Sequence, residues 1–145
     1  MEEKYKLLDQ VHHDSSMAAY TIKVLLNQLE DKDNKIKPYL EEIQQKYITF
    51  ETESKSILEQ LGLDSKDPSL MSKMGSTMAI DKEVREDNSD AAIADMMIQG
   101  VNMGLNKIVK RLKEYDDELD KEHKKLARDF LNFQESVIEN LKTYL

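Results

Sequence analysis

A chain of 145 residues with 34% charged residues, four Gly and two Pro is long enough for a single domain with a real core, built from amphipathic helices rather than turn-rich β-structure. The net charge of −8 excludes a nucleic-acid backbone as partner, which needs a basic stripe, and no apolar run approaches the roughly 18 residues of a membrane span. The absence of cysteine removes disulfides, thiol catalysis and Cys-ligated metal sites.

The N-terminus, MEEKYKLLDQVHHD, is acidic and amphipathic. It does not read as a secretory signal, so the cytoplasm is the expected location. Leu8, Val11, Ser15, Ala18, Ile22, Leu25 and Leu29 recur every three or four residues and predict a first helix over about 3–29. The short polar stop EDKDNK then implies an antiparallel return. Pro38 suits the first turn of a second helix over about 36–61, whose seam runs from Ile36 through Tyr47, Phe50 and Ser54 to Leu61, with Gly62 as its stop.

Residues 62–89 read as a long connection carrying a short or frayed helix over about 68–85. It is rich in methionine: six of the eight in the chain lie between Met71 and Met103. Flexible core filler is the plain reading, an adaptable surface for a partner the sharper one. A helix over about 90–115 follows, with Ile98, Val101, Leu105, Ile108, Leu112 and Tyr115 on one side and Ile93, Met97, Gly100 and Gly104 beside them. So wide an apolar sector predicts more than one neighbour. Gly100 and Gly104 each cost about 1 kcal/mol relative to alanine in a helix. They are expected to admit another backbone at close range, since Asp95, Gln99 and Asn102 interrupt the apolar run that a membrane GxxxG pair requires. A last helix over about 119–144 is lined by Leu119, His123, Leu126, Phe130, Phe133 and Val137, with Gln134 and Ile138 alongside.

Two helix hairpins, a long crossover and the stretch DNSDAAIADMMIQGVNMGLNKI (87–108) together resemble the ferritin-like superfamily. The closest likeness within it is to the small rubrerythrin-like domains of bacteria. The resemblance implies an all-α, ferritin-like four-helix bundle: two antiparallel hairpins joined by a long crossover carrying a short extra helix. Active members of that superfamily hold two metal ions with a Glu from each of two helices and a Glu-x-x-His from each of the others. Here Glu51 is followed by Ser54, and Glu135 by Ile138, where histidine is required, so the resemblance carries the fold and not the di-iron chemistry.

The chain has three histidines. His12 and His13 point about 100° apart on a helix and do not easily share one buried ion, while His123 lies on the seam of the last helix. Glu51 and Ser54, with Gln99, Asn102 or Gln134 opposite, are candidates for a buried polar layer. The sequence contains no Ser–His–Asp set, P-loop or dinucleotide fingerprint. The expectation is a non-enzymatic binding or scaffold protein without cofactor, self-associating or bound to another protein. The alternative is an atypical iron- or manganese-binding oxidase or storage protein using Glu51, Glu135 and His12 or His123 as ligands. A weaker third reading is a pH-sensitive protein switching through its histidines.

Overall fold

The computed structural model describes residues 1–145. It consists of a 3-10 turn, Glu3–Tyr5, and five α-helices: α1 Lys6–Gln28, α2 Lys37–Gln60, α3 Leu70–Glu86, α4 Asp90–Tyr115 and α5 Lys121–Lys142. There is no strand, and no helix is long and apolar enough to cross a membrane. The protein is all-α.

Local chemistry fixes the helix ends. The Ser69 and Ser89 hydroxyls accept hydrogen bonds from the Ser72 and Ala92 N–H groups, capping α3 and α4. At the end of α2, Gly62 adopts φ +71°. Its N–H donates to the Glu59 carbonyl, and that of Leu63 donates to Leu58 at 2.9 Å. This left-handed turn favours glycine, and it folds Leu63 back onto the apolar cluster of Leu8, Ile57, Leu58 and Leu126. Asp90 is no cap. Its carboxylate accepts from the Asn34 side chain at 2.9 Å and from the Lys35 and Ile36 N–H groups at 3.2 and 3.4 Å. One residue thus ties the α1–α2 turn to the start of α4.

The hub of the packing is α1, which meets each of the other four helices, whereas α4 packs on α5 and α1. The wide apolar sector of α4 therefore finds its two neighbours, but the helix around which the chain gathers is the first. Between α2 and α5 an aromatic seam fills the core. Tyr47 and Phe130 are fully buried, and the Phe50 ring lies 5.1 Å from Phe130. Tyr39 stacks on Tyr144 at the other end, so the two helices run antiparallel.

The short helix expected in the crossover over about 68–85 is α3, the shortest of the five at 17 residues, regular along its length and lying on α1. Its inner face is held by Ile80 and Val84, which are buried, and by Thr77, whose hydroxyl bonds to that of Tyr20 at 2.6 Å. Lys73 sits over the Tyr20 ring. These holding contacts belong to α1, not to the local sequence.

Candidate functional site

On α1 the adjacent histidines part company as helix geometry requires: His12 is fully buried and His13 is exposed. The His12 Nδ1 lies 3.2 Å from the Glu51 main-chain oxygen, and Nε2 lies 3.1 Å from Oδ1 of Asp67. The ring thus pins the segment after α2 to α1. The Glu51 side chain is half-buried and Glu135 is exposed. His123, buried at the start of α5, meets the Tyr5 ring edge-on at 6.3 Å. His123 and Glu135 stand about 18 Å apart along one helix axis, so one ion cannot take both. No group of three or more His, Asp or Glu side chains is disposed to hold a metal. The donor set does not fit the di-metal centre of the superfamily.

Of the proposed polar layer, Gln134 and Ser54 are buried while Gln99 and Asn102 are exposed. Gln134 accepts a hydrogen bond from the buried Tyr47 hydroxyl. Ser54 donates back to the Phe50 carbonyl of its own helix at 2.7 Å. The layer is a Tyr47–Gln134 pair across α2 and α5, and Glu51 takes no part in it.

The two glycines of α4 differ. A Cβ at Gly100 would meet nothing within 4 Å, whereas one at Gly104 would stand 2.7 Å from the Asp14 carboxylate. Close approach is needed at Gly104 alone, and what approaches is a carboxylate from α1, not a backbone. The side chain of Asp14 is 20% exposed. Its contacts are long: Nε2 of Gln10 at 3.5 Å and Nδ1 of His13 at 3.5 Å, and no Lys or Arg pairs with it. The Gln10 Oε1 is enclosed without a donor.

These groups line a groove floored by α1 and walled by α4, with a volume of about 610 Å³. Met17, Met96, Met97 and Val101 give it an apolar body, Ser76 represents α3, and Gln134 and Tyr47 lie at its base. Nothing local in the sequence marks Asp14, because a charge on an amphipathic helix ordinarily marks the solvated face. The signal that pointed to it was Gly104, a costly residue in mid-helix needing a reason.

Burial raises the Asp14 carboxyl above the ordinary aspartate value of 3.8, and His13, Gln10 and Lys107 oppose the shift only in part. The folded chain binds this proton more tightly than the unfolded chain, so ionisation of Asp14 opposes folding. The stabilising effect of protonation is complete below about 3.8 and is lost as pH rises through the raised value. Asp14→Asn, neutral throughout, is expected to melt higher than the parent at pH 7. That advantage should vanish on acidification below the ordinary aspartate range. An equal advantage at both pH values would show that the gain does not come from ionisation.

The chain matches no protein-family model, no curated protein and no solved structure.

Proposed function

We propose that the chain is a non-enzymatic helical-bundle binding or scaffold protein, ferritin-like in topology, which associates with a second copy of itself through the outer face of α3. The observation that carries this reading is the composition of that face. Leu70, Met71, Met74 and Met78 are 74%, 83%, 57% and 70% exposed, at helical spacing along the flank of α3 beside Ile80 and Val84. A contiguous apolar stripe of this kind is uncommon on a monomer, and unbranched methionines repack against whatever covers them.

A two-fold contact requires a patch that complements itself. The stripe from Leu70 to Met78 carries no charge on its outer face, and Gly75 within it has nothing within 4 Å of a Cβ position, which leaves room for a partner helix. The topology is supported by helix directions. The hairpin turn sets α1 against α2, the aromatic seam sets α2 against α5, and the second hairpin sets α5 against α4. The chain then returns from the end of α2 to start α4 in the direction of α2, the single crossover of ferritin-like bundles.

Sedimentation or light scattering at tens of micromolar tests the association. The expected mass is that of two chains, growing firmer as salt screens the −8 charge on each copy. Replacing both Met74 and Met78 with glutamate should leave a folded single chain. A parent mass equal to one chain removes the proposal.

A further inference from the structure

We propose that the groove along α1 and α4 binds an amphiphilic cation, its ammonium head on Asp14 and its apolar chain over Met17, Met96 and Met103. Three features converge at one end of this groove, and each is unfavourable to the fold alone: a glycine in mid-helix, a carboxylate withdrawn from water, and an amide oxygen enclosed without a donor. Alanine at both 14 and 104 would pack α1 on α4 without the first two of them. Places where local rules are broken together are where a fold has given way to function.

The polar end selects the sign of the ligand. Asp14 offers the accessible acceptor oxygens, while its side-chain donors, Gln10 Nε2 and His13 Nδ1, stand at 3.5 Å. Lys107 lies on the rim without pairing to the carboxylate. A head rich in N–H groups satisfies the acceptors, with charge-assisted bonds in a partly dry site. A carboxylate or phosphate head would meet like charge, and a purely apolar ligand would seal the acceptors away from water unpaired. The acidic chain as a whole also favours a cation.

The apolar end selects the body. A groove of about 610 Å³ is the size of small-molecule sites. From Met96 to Lys107 it follows three turns of α4, about 16 Å. Methionine walls adapt to a flexible chain. The inference is independent of self-association, because the outer face of α3 is not part of the groove.

Isothermal titration of the full chain with octylamine, octanol and octanoate tests it. Octylamine is expected to bind saturably, one per chain, about tenfold tighter than octanol, with octanoate weakest. Asp14→Asn should erase the preference for the amine while leaving octanol binding unchanged. Gly104→Ala, which restores helix propensity but drives the Asp14 carboxylate from its place, should weaken amine binding without lowering the melting temperature. Repeating the titration on the Met74 and Met78 glutamate variant separates the groove from the association face: the amine preference should persist there. Equal binding of amine and alcohol by the parent, octanoate binding as tight as octylamine, or no saturable binding of any probe would overturn the proposal.

Discussion

Phe130→Ala will lower the free energy of unfolding by about 3–5 kcal/mol, the range for removing a fully buried phenylalanine. The ring is the meeting point of α2 and α5. Its centroid lies 5.1 Å from that of Phe50 and 6.3 Å from that of Tyr47, both edge-on. Neighbours that large do not collapse into the void, so both the transfer term and the cavity term are lost. A domain of this size has about 5–15 kcal/mol in total, and the melting temperature should fall by about 10 °C or more. Phe133→Ala, at a half-buried position, should be milder. Urea titrations of the two variants provide the check. A Phe130→Ala cost below about 1 kcal/mol would mean that the seam is not the core.

His12→Ala is expected to cost about 2–4 kcal/mol, combining a cavity with two lost hydrogen bonds. Both ring nitrogens face oxygens, the Glu51 carbonyl and the Asp67 carboxylate. A neutral imidazole has one N–H and satisfies only one of them as donor. When Nδ1–H serves the carbonyl, contact with the carboxylate needs a second ring proton. Asp67→Asn relaxes this demand, because its amide presents a donor to a bare Nε2. Asp67→Ala leaves the buried Nε2 without its protein partner. The expected order of destabilisation is therefore His12→Ala, then Asp67→Ala, then Asp67→Asn. If Asp67→Ala is as stable as the parent, the bond does not hold the segment after α2.

Helix positions were legible because their signals are local. Pro38 and Gly62 sit within two residues of helix ends, and the span 90–115 agrees at both ends. What the sequence leaves open depends on distant partners. The regularity of α3 comes from Tyr20 and the flank of α1, which no window around Met74 contains. That Gln134 turns inward followed from its place beside the seam, but its partner Tyr47 required the register of α2 against α5. Gly100 and Gly104 form one motif by spacing, yet one opens on the groove and the other receives a carboxylate. Only the antiparallel offset of α1 and α4 distinguishes them. Asp14 looked like any solvated acid for the same reason, and the site it belongs to was the least visible part of the chain.

Helix α3 contributes only Ile80 and Val84 to the core and rests chiefly on α1. Detaching it exposes far less apolar surface than detaching any other helix, which puts its opening on the lowest rung of the ladder of partial unfolding. Of its residues, Ser76 alone reaches the groove. Hydrogen exchange should therefore be faster at the core-facing backbone amides of this 17-residue segment than in the other four helices. Anything that binds the outer face of α3 only while it is docked slows that exchange by mass action.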